Sequence, residues 1–224
     1  MLDLPFVAEL QLAGERNLVP FRFSREVSTH ALFPRSRLSS YLPEPAIRPY
    51  LAVAAGLYAA AFLGGVYAPP SLRNGLAEAF MTAAEPYMNQ SGGVLFLFIL
   101  ANNLIASILM LVLGVAFGIV PFFGVLSNGL VLGILWRHAA EIEGYGNAAL
   151  EVLPHGVFEI PALLLAASYG LWIGMTAIRR ARGRKVLPIE GQMKHALRKY
   201  VEIILPLLVL AAAIETVLVI KAVS

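Results

Sequence analysis

Apolar residues along this chain gather into long unbroken runs, separated by short polar stretches. A polar first segment, residues 1–48, gives way to an apolar run at 49–68. A second run fills 93–138, a third begins near Leu153, and a last one covers 203–221. An α-helix rises 1.5 Å per residue, so roughly 20 apolar residues cross a hydrocarbon layer about 30 Å thick. Residues 93–138 are too many for one crossing and suit two. Pro121 marks the break, because proline fits the first turn of a helix and not its interior. The pattern predicts spanning helices at about 49–68, 94–117, 121–138, 154–178 and 203–221. The expected fold is all-α, a polytopic membrane helical bundle with about five transmembrane helices.

Two stretches between the runs have helical periodicity without the length or apolarity to span. Leu72, Leu76, Phe80 and Ala83 recur at helical intervals within 71–87, which predicts a helix lying along the interface. Met193, Leu197 and Tyr200 alternate with Lys194, Arg198 and Lys199, an amphipathic basic helix leading into the last span, where Pro206 predicts a kink. The chain divides into an amino-terminal arm, 1–48, and a transmembrane domain, 49–224. In the arm, Phe6, Ala8, Leu10 and Leu12 alternate with Glu9 and Gln11 before the turn-forming Gly14-Glu15-Arg16-Asn17. Phe21 and Phe23 then alternate with Arg22 and Ser24. This reads as a β-hairpin with Pro20 demoting its second strand to an edge, or as an irregular arm on the membrane surface.

Composition agrees with the pattern. Of 224 residues, 58% are hydrophobic and 14% charged, and the mean hydropathy is +0.74, values of the membrane class. Cysteine is absent, which excludes disulfides, thiolate catalysis and cysteine-ligated metals. The first 48 residues hold no apolar run fit for a signal peptide, so the amino end is expected to stay on the side of synthesis. Charge adds the orientation. With five spans, 14 of the 17 Lys and Arg residues fall on the side of the amino terminus and the loop between the fourth and fifth helices. The positive-inside rule then predicts a multi-pass cell-membrane protein with its amino terminus cytoplasmic and its carboxyl terminus extracytoplasmic.

The fourth span carries the candidate chemistry. His155 and Glu159 stand one helical turn apart, and ionisable groups in hydrocarbon need a partner or a task. Below them Ala162, Ala166, Gly170 and Gly174 form a small-residue ridge suited to close helix approach, as do Gly56, Ala60 and Gly64 in the first span. In this topology Glu159 lies about 8 Å, and Glu215 about 9 Å, inside the outer ends of their helices. Asn102, Asn103 and Asn128 also fall in the outer half. His155, Glu159, Glu215, Asn102, Asn103 and Asn128 therefore form a candidate polar cluster. Three readings stand: interhelical hydrogen bonding, a cation or proton site, and metalloprotease catalysis. The spacing is HxxxE and not HExxH, so the two-histidine face of a zinc protease is missing. No serine-hydrolase elbow, phosphate loop or dinucleotide fingerprint occurs either. No catalytic residue, cofactor or dedicated metal site is assigned. The run Arg179, Arg180, Arg182, Arg184 and Lys185 beside a span points to topology and anionic membrane lipids, not to nucleic acid.

Three motifs together resemble one family. They are Asn102-Asn103; then Gly118, Pro121, Asn128, Gly129 and Gly133; then Pro154-His155-Gly156 followed by Glu159-Ile160-Pro161-Ala162. The combination is similar to the stage II sporulation protein M family over roughly residues 50–221. The resemblance implies a polytopic helical membrane protein, and in endospore formers a scaffold that gathers peptidoglycan-degrading enzymes during engulfment. The expected function is a non-enzymatic membrane scaffold or partner-binding protein, working as a homodimer or with a cell-envelope protein. The alternative is a small-solute or ion transporter with its polar site in the outer half of the bilayer.

Overall fold

The computed structural model describes residues 46–88 and 90–223, and among these all regular structure is helical. Contacts divide the chain into residues 1–40 and 41–224, and the helices belong to the second unit. The hairpin expected in the amino-terminal arm lies outside the described residues. Helix α1 is Arg48–Val66, α2 Pro70–Met88, α3 Gly92–Val112 and α4 Ile119–Glu143. Then come α5, Tyr145–Pro154; α6, Ile160–Ala181; α7, Ile189–Lys199; and α8, Leu205–Val223. Five stretches are long and apolar enough to cross a membrane: Arg48–Val66, Gly92–Val115, Ile119–Glu143, Gly156–Ala181 and Ile189–Lys221. The protein is a multi-pass helical bundle of the kind the hydropathy pattern predicts.

The turn between α3 and α4 falls where Pro121 predicts it. A 3₁₀ turn, Leu113–Val115, tightens the end of α3. Phe117 at φ 58° and Gly118 at φ 77° then reverse the chain in left-handed conformation. Glycine accepts that conformation without a Cβ penalty; Phe117 does not, and is held there by the turn. Pro121 follows in the first turn of α4, where its missing N–H has no intrahelical partner to lose.

The last two spans are longer than their apolar runs, because proline distorts the helix without ending it. The chain is helical from Tyr145 through a π turn, His155–Glu159, into α6. It is helical again from Ile189 through a second π turn, Tyr200–Ile204, into α8. Pro161 and Pro206 stand just beyond these turns. A proline ring crowds the carbonyl four residues back, here Val157 and Glu202, and both lie inside the π turns. The wider turn moves that carbonyl out of the way. A π turn thus precedes each proline, where a local distortion was expected at Pro206 alone.

Helix α6 is the centre of the bundle: 44% of its spanning stretch is buried, against 17–28% in the other four. One side of it, with Ala162, Ala166, Tyr169 and Ile173, packs against Leu111, Tyr200, Ile204 and Leu208. Another, with Leu163 and Ala167, meets Ala54, Met110 and Val125. Two glycine-lined crossings lock this arrangement. At the first, Gly170 and Gly174 lie directly on the backbone of Met110, Gly114 and Gly118. At the second, Gly129 and Gly133 of α4 lie on the carbonyls of Tyr58 and Phe62, and Gly65 lies on the backbone of α4 at Leu130. Backbone contact of this kind gains dispersion energy that lipid tails cannot match.

Candidate functional site

The polar motif of the fourth span forms the π turn that leads into α6. Proline at position 161 forces the wider turn, so the motif departs from the regular helix the spacing suggests. Glu159 is its last residue, half-buried and engaged with its surroundings. Tyr58 of α1 lies within electrostatic reach of the Glu159 carboxyl group. Tyr58 is half-buried in α1, in a stretch where every neighbour is apolar. The side chain of His155 is not among those described. The ridge below Glu159 runs as expected: Ala162 and Ala166 are fully buried, and Gly170 and Gly174 sit on the backbone of the α3–α4 region.

The other candidate residues distribute among separate contacts. Asn102 donates from its amide nitrogen to the Asn103 amide oxygen at 3.4 Å, a pair on α3 with Asn102 exposed and Asn103 half-buried. Asn128 donates to the Gly124 carbonyl of its own helix at 2.8 Å. Glu215 is half-buried and engaged. It adjoins Thr216, whose methyl, with Ile220, faces Gly92 at the start of α3. At 1.5 Å per residue Asn103 lies about 16 Å further along α3 than Gly92, so the asparagine pair is nearer mid-span than Glu215. Carrying the contact of Gly170 with Met110 back up α6 brings Glu159 level with the asparagine pair, within about one turn.

A polar tie that sequence spacing did not suggest joins α3 to the second π turn. Ser107 is buried, bonds to the Asn103 carbonyl at 2.7 Å, and shares a 2.8 Å hydrogen bond with the Tyr200 hydroxyl. Tyr200 read as one apolar tooth of the amphipathic helix before the last span. Its role depends on which helix faces it, and no local pattern carries that. At the opposite end of the bundle Arg73 of α2, only 8% exposed, pairs with Glu141 of α4 at 2.9 Å. Arg137 meets the same carboxylate at 2.9 Å and donates to the Tyr145 hydroxyl at 2.7 Å. Two of the few basic residues on that side therefore share one carboxylate.

Among the described residues no group of three or more His, Asp or Glu side chains is placed to hold a metal. A groove of about 780 Å³ between α1 and α4 is lined by Ala61, Ile119, Val120, Phe123, Leu126 and Leu130 and is almost wholly apolar. Three buried or half-buried hydroxyls are satisfied within their own helices: Ser168 to the Leu164 carbonyl, Thr176 to Trp172, Thr216 to Ala212.

Comparison with known proteins agrees with the motifs. The family model described as Stage II sporulation protein M matches residues 50–219. An uncharacterized protein of Methanocaldococcus jannaschii is 32% identical over 118 residues, which cover 52% of this chain and 66% of that one. The chain thus spans just under two thirds of that relative's length. No solved structure matches.

Proposed function

The chain belongs to the stage II sporulation protein M family, and from that premise we propose that it is a non-enzymatic membrane scaffold whose output is an assembly. The closed core supports this reading most directly. Helix α6 is sealed against α3 and α4 backbone to backbone at Gly114, Gly118, Gly170 and Gly174, which leaves no room there for a solute. The partner in this reading is a second copy or a cell-envelope protein, met through outward faces of the bundle. The outer ridge Gly56, Ala60 and Gly64 is exposed and suits a second copy in two-fold contact. The mass in nanodiscs formed directly from membranes tests it. A complex heavier than the monomer, reduced to monomer by Gly56→Leu, is expected; a monomer at every concentration sinks the homodimer.

In this reading the amino side faces the cytoplasm, with the exposed run Arg179 to Lys185 beside it. The chain has no cysteine, so single cysteines at exposed positions report the sidedness cleanly. In intact cells Asn147→Cys should react with an impermeant thiol reagent and Gly183→Cys should not; the reverse pattern inverts the topology.

One observation favours transport as a second reading. Glu159 is an ionisable group in a π turn within the span, and such turns concentrate at functional sites. As a hydrogen-bond acceptor its carboxylate is replaceable by an amide. Glu159→Ala should then cost about 1 kcal/mol more than Glu159→Gln in melting experiments. Cation or proton flux into proteoliposomes that both variants abolish equally, with the fold intact, would decide for transport.

A further inference from the structure

The end of α6 opposite the family motif ends in a second polar construction that the scaffold reading does not use. Trp172, Thr176 and Arg179 project from the last turns of α6 into a groove of about 520 Å³. Its other wall is the connection running from Lys185 to Pro188, and Gln192 of α7 closes the back. Gln192 is only 6% exposed, and its side-chain oxygen is buried with no hydrogen-bond partner. A buried amide oxygen without a donor is uncommon enough to need a reason. The Thr176 hydroxyl cannot supply one, because it already donates to the Trp172 carbonyl at 3.1 Å. The Gln192 oxygen is therefore left as an acceptor without a donor at the back of the groove.

Its charge is of one sign. Arg179 and Lys185 are exposed, and among the described residues neither side chain forms an ion pair or hydrogen bond. The nearby acid on α7, Glu190, is exposed and held by Lys194 at 2.7 Å. Trp172 at the inner wall stands edge-on to His195, with ring centres 6.3 Å apart. Trp172 lies seven residues, about 10 Å, inside Arg179 along α6, so its indole stands at acyl-chain depth while the two cations stand at the end of the span.

Two cations select an anion, and the guanidinium of Arg179 fits phosphate in two-pronged fashion. A buried acceptor selects a hydrogen donor on the same molecule. The depth, with cations at the end of the span and an aromatic wall about 10 Å inside it, selects a ligand with an acyl tail. We propose that this groove binds the headgroup of an anionic glycerophospholipid that carries free hydroxyls. Arg179 and Lys185 hold the phosphate, and Gln192 accepts a headgroup hydroxyl. The last torsion of glutamine is soft, so the amide can turn toward the groove as the ligand enters. A soluble glycerol phosphate has the same chemistry without the tail. The scaffold reading can fail without affecting this site, since none of its residues belong to the sealed crossing.

Native mass spectrometry from mild detergent tests it, with phosphatidylglycerol, phosphatidic acid and phosphatidylcholine of matched acyl chains added in turn. The full chain should retain one phosphatidylglycerol molecule roughly tenfold more strongly than phosphatidylcholine. The double variant Arg179→Gln, Lys185→Gln should lose that preference; both positions are exposed, and an unchanged melting temperature shows that the fold is kept. Gln192→Leu should still prefer anionic lipid but no longer separate phosphatidylglycerol from phosphatidic acid, which lacks headgroup hydroxyls. Equal retention of phosphatidylglycerol and phosphatidylcholine by the unaltered chain overturns the site. So does undiminished preference in the double variant. If Gln192→Leu discriminates as well as the unaltered chain, the role of Gln192 is overturned. Displacement of bound lipid by equimolar sn-glycerol 3-phosphate would assign the groove to a soluble ester and overturn the lipid.

Discussion

Two ridges of small residues, written in nearly the same spacing, meet opposite fates in this bundle. Gly170 and Gly174 of α6 disappear against the backbone of α3 and its turn, so closely that a Cβ at either would overlap Met110 or Gly118. Gly56, Ala60 and Gly64 of α1 face outward, and a Cβ at Gly56 would meet nothing. The same helix α1 is nevertheless tightly packed, through Tyr58, Phe62 and Gly65 against Gly129 and Gly133 of α4. Small residues at intervals of four permit close approach; they do not say which ridge is used. What decides is a matching ridge on the neighbour, and α3 and α4 each supply one.

The comparison is broken most decisively at its interior member. Gly170→Leu should cost about 3 kcal/mol or more, because the side chain has only backbone to displace. Loss of monodisperse protein, or a collapse of the melting temperature in detergent, is the expected readout. Gly56→Leu should change monomer stability by no more than about 0.5 kcal/mol, as surface substitutions do. If the two variants melt alike, the packing of α6 is misassigned.

A smaller effect sharpens the same contrast between inner and outer faces. Tyr200→Phe removes a buried bond to Ser107 and should cost about 0.6 kcal/mol, the average for polar contacts between membrane helices. A Ser107→Ala, Tyr200→Phe cycle isolates the pair, and a zero coupling would show the bond to be idle. The smallest effect belongs to Glu202, in the same π turn but on its exposed side. It pairs with Arg198 at 2.7 Å and Lys199 at 3.2 Å. Solvent and salt screen such exposed pairs, so Glu202→Gln should be close to silent, and any small effect should vanish in high salt. A cost as large as that of Tyr200→Phe would contradict the exposure of that face.

Much of this architecture is legible in the chain because the bilayer is a severe solvent. Every spanning backbone must satisfy its own hydrogen bonds, so a run of apolar residues such as 94–112 has no choice but helix. Length then fixes the number of crossings, and Pro121 with Gly118 fixes where the third begins. The π turns are less legible: Pro161 and Pro206 announce a local distortion, but the helix continues through it because residues on both sides are held by packing. The polar candidates are the least legible. Asn128 bonds to its own helix and Asn102 to its neighbour, while Tyr200, an aromatic on a basic amphipathic helix, meets Ser107.

By itself, then, the sequence determined the family, the helical class, five crossings and the small-residue faces that permit tight contact, because hydropathy, proline and glycine act locally. Which faces pair was decided only in three dimensions. The placing of α6 at the centre, the burial of Gly170 and Gly174, the outward turn of Gly56, and the gathering of Trp172, Arg179, Lys185 and Gln192 around one groove all depend on azimuth. A helix's rotation about its own axis is set by the surfaces of its neighbours, and these come from residues distant in the chain.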